Sequence, residues 1–422
     1  MTATATAPTP SARTTTPPRP PAPPTPRQPR PVTIDSPELE TLLGRLAEIV
    51  PGEGDADSIR QAITLIRDAG LGTLRLPREE GFGGASLREL FEVAIRIAEI
   101  NSSVVHILRN HFGFVERALY SSDNPKYRRW LDEVRAGRLF GLGYSELGTQ
   151  NIGTGTGDTV LSVDGDGYRL SGTKYYSTGN YYTDFLYIAA QLEDGQQVAV
   201  VIPADREGVR IPDDWDGFGQ KLTASGTTFL TNVRVERAEV IGIDDHNRPL
   251  PVQSTFFQLY LTSIIVGIIK AIVRDASRVL AQRTRNFYHA VAAVPKDDPL
   301  LQQTIGRLAS IAYVAESAVL RAVDALELAH ETAKAGAVDD ALFVQAALRA
   351  AKAKIVIDDL ALEAASRLFE VGGASAATTG QNLDRHWRNI RTLAAHNPVS
   401  YKARAVGRYE LDKTPLPNTG FF

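Results

Sequence analysis

Between Asn382 and Pro398 the chain reads NLDRHWRNIRTLAAHNP, a stretch that places two imidazoles, His386 and His396, among polar and apolar neighbours at helical spacing. His386, Asn389, Leu393 and His396 follow one another at three- to four-residue steps, while Leu383, Ile390 and Leu393 form an apolar stripe. A helix here has one face that is part apolar and part ionisable. Pro398 supplies no backbone donor and turns Asn397 away from helical geometry, so His396 falls where the helix ends. An imidazole in that place either satisfies the last carbonyls and the helix dipole, or presents a proton carrier at the mouth of a bundle. Three earlier segments add hydroxyls at strand ends. Gly143 to Gly148 (GYSELG) carries Ser145 and an acid before a turn-forming glycine, Lys174 to Asn180 (KYYSTGN) carries Ser177 and Thr178, and Gly219 to Gly226 (GQKLTASG) leads into a long strand. Each alone reads as a turn; together they form an ordered set.

Composition removes several alternatives. The chain has 422 residues, 43% of them hydrophobic, enough for a large core in two or three packed units. Its formal net charge of −3 carries no basic block outside the tail, which argues against a nucleic-acid partner. No cysteine is present, excluding disulfides, zinc thiolates and cysteine nucleophiles, and the seven histidines lack metal-ligand spacing, so no metal is expected. The most apolar run, Leu259 to Ile269, is broken by Thr262, Ser263 and Gly267, so no membrane span is expected. Residues Met1 to Pro31 are rich in Pro, Thr and Ala without an apolar core, which reads as a disordered tail lacking a secretory h-region and points to a cytoplasmic protein.

The elements that must position these groups fall into three blocks, giving an α+β, mainly α class. From 32 to 138 the pattern is helical, with a cap at Asp57 or Ser58, a stop at Gly70, and helices over Leu87 to Ile100, Val104 to Leu119 and Pro125 to Val134. Asn110 and His111 interrupt the apolar face of the second of these. From 139 to 243 short β-branched and aromatic runs separated by Gly and Asp predict strands over Leu139 to Tyr144, Thr159 to Val163, Tyr168 to Tyr176, Phe185 to Gln191, Gln197 to Ile202 and Thr227 to Val235, closing into an antiparallel β-barrel. VDGDGYRLSG is a hairpin signal within it. From 244 to 422 four helical stretches, Gln253 to Asn286, Leu300 to Ala335, Asp339 to Glu370 and Leu383 to Ala395, predict a four-helix bundle.

The helix–barrel–helix order and these motifs resemble the acyl-CoA dehydrogenase superfamily over nearly all of the chain after the tail. YSELGTQN is similar to the family's TEPGAGS strand end, which places Tyr144 and Ser145 beside a flavin. YYSTGN is similar to its WITNG segment, which implies that Thr178, with Ser177, stands at flavin N5 and that Tyr176 takes the place of the aromatic. GQKLTASGTTFLTNVRV is similar to the last barrel strand and its preceding turn. LFEVGG, with Gly372 and Gly373, resembles the family's FGG segment, which approaches flavin phosphates across a subunit contact together with an arginine, here Arg283 or, preferred, Arg285. The family's desaturases use a carboxylate base where this chain has Ala395, His396 and Asn397. The subgroup that LDRHWRN…HNP resembles is the two-component flavin monooxygenases of the dibenzothiophene and sulfur-compound type.

That resemblance implies a noncovalent reduced FMN, with FAD as the alternative. A separate NAD(P)H-flavin reductase would supply it, consistent with GTGTGD at Gly153 to Asp158 having the wrong spacing for a dinucleotide site. Oxygen bound at flavin C4a would then be transferred as one atom to a small, largely apolar aromatic, sulfur or nitrogen substrate in a pocket shielded from water. In this reading His396, with a near-neutral pKa, handles the proton, Thr178 and Ser145 hold the ring, His111 lines the other side of the pocket and Trp215 packs near the cofactor. A homotetramer is implied through the shared phosphate site. The alternative is an acyl-CoA dehydrogenase or flavin oxidase whose base has moved, to Glu363 or Glu370.

Overall fold

The computed structural model describes residues 32–148, 157–242, 254–418 and 420–422, so the expected tail, Thr149, Gln150 and most of GTGTGD lie outside the described residues. Helix α1 (Pro37–Ile49) starts at Ser36, whose side chain accepts the Leu39 N–H, and α2 (Ala56–Asp68) starts at a reciprocal capping box of Asp55 and Ser58. The α2 cap thus falls at Asp55, with Ser58 as its partner, and Gly70 stops the segment at φ 68°. A second capping box, Ser86 with Glu89, opens α3 (Leu87–Ile100). Asn101 accepts from Ser103 and Val104 to start α4 (Ser102–Tyr120), and α5 (Pro125–Arg135) follows.

The strands are β1 (Phe140–Gly143), β2 (Val160–Asp164), β3 (Gly167–Lys174), β4 (Phe185–Leu192), β5 (Gln197–Pro203), β6 (Val209–Arg210), β7 (Thr228–Val235) and β8 (Val240–Gly242). The six strands read from alternation are all present; β6 and β8, two and three residues long, carry too little pattern to read. Asp164 pairs with Gly167 across the β2–β3 turn, the hairpin that VDGDGYRLSG signals. The sheet runs β6-β7-β3-β2-β4-β5-β8, with β1 added on β4. It departs from the antiparallel barrel in two pairings. Both β1 and β2 lie parallel to β4, one against Phe185–Ile188 and the other against Gln191 and Leu192, so the sheet is mixed, and among the described residues its ladder is an open path. Parallel pairing depends on a crossover that local alternation does not encode.

After the sheet come α6 (Thr255–Gln282), α7 (Pro299–Lys334) and α8 (Asp340–Gly372), which pack on one another, then α9 (Arg385–Ala394) and α10 (Val399–Asp412) against α8. One apolar core joins α1–α4 to α6–α8, because α3 lies on α6 and α7. The sheet has its own core, built from Leu161, Leu170, Leu186, Ile188, Val200 and Val233. Helix α6 is, by length and composition, apolar enough to cross a membrane, correcting the residue-by-residue reading above. Most of it is buried inside the protein, and it is the central core helix of the bundle.

Candidate active site

On α4, His106, Asn110 and Arg117 reach Gln220, Thr178 and Tyr187 of the sheet segment, while Gly113 lies against the Phe257 ring. The KYYSTGN turn presses directly on this helix. At Gly179, φ is +79° and an added Cβ would stand 2.7 Å from the Ile107 carbonyl, so glycine is required by conformation and by space. Asn110 Nδ2 donates to the Thr178 carbonyl at 2.9 Å. Thr178 Oγ1 lies 2.8 Å from Ser225 Oγ, which in turn lies 2.6 Å from Thr223 Oγ1. The Ser177 N–H donates to the Gly226 carbonyl at 3.0 Å, joining the second and third hydroxyl motifs. The first is tied in by the Ser145 carbonyl, which accepts from Tyr175 at 2.8 Å, and by the buried ion pair of Glu146 with Lys174. Tyr176, at φ 55°, holds its ring outward, edge-on to Trp215 at 6.3 Å. Tyr144 is half-buried; burial pushes its phenol up and the Arg117 charge opposes that. Gly179→Ala should cost on the order of 3 kcal/mol in urea unfolding, from strain plus the clash. Gly195→Ala, at φ +85° with open space around it, should cost only about 1 kcal/mol; equal costs would remove the close-approach argument.

Gln220 is where α4, the third motif and α9 meet. Its N–H donates to Asn389 Oδ1 at 2.6 Å, its carbonyl accepts Trp215 Nε1 at 3.0 Å, and its side-chain Nε2 donates to Ser102 Oγ at 2.8 Å. In this orientation of the amide, Oε1 accepts from His106 Nδ1 at 3.0 Å, which leaves His106 Nε2 as a bare acceptor. Helix α9 is clamped in turn. Arg385 and His386 both donate to Asp275 of α6, the latter at 2.9 Å, Arg388 reaches Glu53 at 3.2 Å, and Trp387 stacks on Phe218 at 6.1 Å. The LDRHWRN residues are therefore mainly the means of holding this helix in place. His396 follows its last turn. His396 is exposed on the single chain, although many protein atoms surround its ring. Phe421 meets it edge-on at 5.5 Å.

Six buried polar atoms around this junction have no hydrogen-bond partner: His106 Nε2, Asn110 Oδ1, Ser177 Oγ, Gln258 Nε2, Tyr260 Oη and Asn397 Oδ1. They belong to one connected region, since Asn397 Nδ2 donates to Gln258 Oε1 at 2.6 Å and Arg109 Nε donates to the neighbouring Phe257 carbonyl at 3.3 Å. Orphaned polar atoms are rare in folded proteins, and this many together mark a place built to receive a polar group. None of these side chains is a carboxylate. Glu363 is held by Arg367 and Arg307, and Glu370 is exposed, so neither supplies a base here.

The electrostatics keep the imidazoles neutral. Burial, and secondarily the Arg109 charge, lowers His106 to about 3. Burial together with Arg109, His106, Lys354 and Lys402 holds His396 well below the usual histidine value, in place of the near-neutral value expected. A second correction concerns His111. Its Nε2 lies 2.8 Å from the Gly72 carbonyl and its Nδ1 accepts the Phe140 N–H at 3.3 Å, so both nitrogens are spent on joining α4 to β1 and the turn after α2. The α4 histidine that the structure brings to the junction is His106, five residues earlier. Arg285 is exposed and makes no hydrogen bond or ion pair among the described residues, whereas Arg283 donates to the Val371 carbonyl at 2.6 Å and so reaches the Gly372–Gly373 turn. Arg283 and the glycines sit at the far end of α6 from Gln258, about 38 Å away at 1.5 Å per residue. Within one chain the structure does not bring them to the hydroxyl cluster.

Three comparisons bear on this arrangement. The family model for the acyl-CoA dehydrogenase C-terminal domain matches residues 259–401. The chain is 29% identical over 373 residues to the probable FMNH2-dependent monooxygenase SfnC of Pseudomonas putida, across 84% of this chain and 88% of that protein. Among solved structures it is similar to methanesulfinate monooxygenase MsuC from Pseudomonas fluorescens, with TM-score 0.81, 26% identity, and coverage of 92% of this chain and 100% of the other. It is likewise similar to TdsC from Paenibacillus sp. A11-2 in complex with FMN and indole, with TM-score 0.80, 26% identity, and coverage of 91% and 98%.

Proposed function

For a chain that belongs to the acyl-CoA dehydrogenase superfamily, in the branch of its flavin-dependent monooxygenases, we propose oxygen transfer from O2 to a small substrate at the α4–sheet–α9 junction, with reduced FMN delivered by a separate reductase. The observation that carries this reading is the meeting of two neutral imidazoles with a hydroxyl cluster, where the one nearby carboxylate among the described residues, Asp358, is bonded to Lys354. A thioester desaturase needs a carboxylate base at the ring; an oxygenase needs donors, acceptors and a proton carrier in a site closed to water.

The residues present fit a flavin. Orphaned Ser177 Oγ and Asn110 Oδ1, beside the Thr178–Ser225 hydroxyl pair, offer the mixed donors and acceptors that the polar edge of an isoalloxazine takes. Reduced FMN, when bound, supplies the electrons that activate O2. His106, fixed by Gln220, presents Nε2 as an acceptor. His396, neutral at pH 7, takes up and returns a proton at the end of α9. Phe421 meets its ring edge-on at 5.5 Å. The phosphate-binding role of Arg283, Gly372 and Gly373 then belongs to a neighbouring copy in a homotetramer.

The test is turnover with reductase-generated reduced FMN against a panel of sulfides, indoles and amines. An oxygenated product is expected; tightly bound FAD that bleaches with an acyl-CoA would overturn the reading. His396→Ala should bind FMN within about threefold of the parent and form product about 10² to 10⁴ times more slowly, with the consumed O2 released as hydrogen peroxide. An unchanged product-to-peroxide ratio would remove His396 from the proton path.

A further inference from the structure

Among the described residues several enclosed arginines are paired with acids, while Arg117 lies over the Tyr187 ring. Arg75 pairs with Glu116 at 2.6 Å, Arg67 with Asp184 at 2.6 Å, and Arg385 with Asp275. Arg109, only 8% exposed, has no carboxylate partner among the described residues. Its Nε donates to the Phe257 carbonyl at 3.3 Å, its guanidinium lies 5.3 Å from the centre of the Phe257 ring, and its two terminal nitrogens have no partner among the described residues. Burying an unpaired guanidinium is costly, so its retention here calls for an anion.

The surroundings point the same way. His396 feels Arg109, Lys354 and Lys402; Lys354 is bonded to the Asp358 carboxylate at 2.7 Å and burial lowers Lys402 to about 7, so Arg109 is the standing charge beside it. Lys402, 4% exposed, donates only to the Phe421 carbonyl at 2.7 Å and lies on the Phe422 ring. The Arg109 guanidinium is thus the one standing charge there, among the described residues, without an acid beside it. Its direction is also set, because successive residues of α4 diverge by about 100°. Asn110 turns to Thr178 and the sheet, where the flavin ring is placed, while Arg109 turns to Phe257 and the helical wall opposite.

We infer that the substrate of this site carries a negatively charged head group, a carboxylate or sulfur oxyanion, which pairs with the Arg109 guanidinium on the helical wall and leaves its oxidisable atom toward the sheet. This rests on the oxygenase reading and narrows the largely apolar substrate expected from the sequence. The same positive charge could instead serve the ring of reduced flavin, and the experiment separates the two.

4-(Methylthio)benzoate and its methyl ester share one oxidisable sulfur and differ in charge. Equilibrium dialysis against protein saturated with oxidised FMN reads their binding without turnover. The acid should bind at least about tenfold more tightly than the ester. Arg109→Met should weaken the acid about a hundredfold, leave the ester and FMN within about threefold, and keep or raise the unfolding midpoint because a buried unpaired charge is gone. Equal binding of acid and ester, an equal loss for both in the variant, or a loss confined to reduced FMN would overturn the inference. Tight binding of the acid without formation of its sulfoxide under turnover conditions would count against oxygen transfer and leave the anion site standing.

Discussion

Lowering the pH from 7 to 5 should unfold this protein cooperatively, before most of its carboxylates titrate. Four buried histidines carry the effect. Burial lowers His106 to about 3 and His111, His330 and His386 to about 4, outweighing the Glu116 and Asp275 carboxylates that act in the other direction on the last two. The unfolded chain has these groups near 6.5. Above that value both states are neutral and the groups contribute nothing. As the pH falls below it, the unfolded state takes up protons that the folded state refuses until about 4, so stability is lost throughout that window. At pH 5 each histidine costs roughly 2 kcal/mol, and four of them together reach the whole folding free energy of an ordinary domain, about 5–15 kcal/mol. Near-ultraviolet circular dichroism during a pH titration reads the transition. His330→Phe, which keeps an aromatic ring against Tyr120 and Phe343 and removes one titrating group, should move the midpoint to lower pH. A protein that stays folded at pH 4.5 would show that these rings find solvent or partners on protonation.

What was legible in the sequence follows from the range over which each feature is encoded. Capping residues, the β2–β3 hairpin and the alternation of the six longer strands are local, and the structure has them. The parallel contacts of β1 and β2 with β4 depend on residues far apart in sequence, and no alternation pattern carries them. Helix α10 was missed because Pro398 reads as a stop, whereas it serves as the N-cap residue of a new helix. On α4, two histidines five residues apart were both visible. Which one faces the junction depends on the seat of the helix against Gly179 and Gly72, and that seat put His106 at Gln220 and His111 at Gly72. The signal that could have found His106 is its four-residue spacing to Asn110. Arg109 left no trace beyond being a charged residue on an apolar helix, because what distinguishes it is the absence of an acid in space. The LDRHWRN stretch was found for its histidines, yet its own residues act mostly through Asp275 of α6 and the connecting residues Glu53 and Phe218, which lie 110 to 335 positions earlier.

That last network yields the second large effect: Asp275→Ala should release α9 from α6 and take His396 with it. Asp275 is 5% exposed and is the shared acceptor of Arg385 and His386. Its removal leaves Arg385, 8% exposed, as a buried cation with no acid on α6, and breaking a buried pair in this way costs about 3–5 kcal/mol. Asp275→Asn keeps an acceptor of the same shape and should lose less. Burial would raise the Asp275 carboxyl, but the His386 hydrogen bond and the Arg385 charge together hold it well below the usual carboxylate range. Its stabilisation is therefore complete above about pH 4 and is lost only as the pH falls further, so the cost measured in urea should be the same at pH 7 and pH 9. Amides of α9 should exchange with solvent much faster in the alanine variant while those of α7 do not, since α9 rests on α6 and α8 and α7 does not depend on it. Because α9 also brings Asn389 to Gln220, the loss should extend to the orientation of His106, and product formation should fall more than in His396→Ala alone. Unchanged protection of α9, or a cost below about 1 kcal/mol, would mean that Asn389, Arg388 and the Trp387–Phe218 stack hold the helix without the α6 carboxylate.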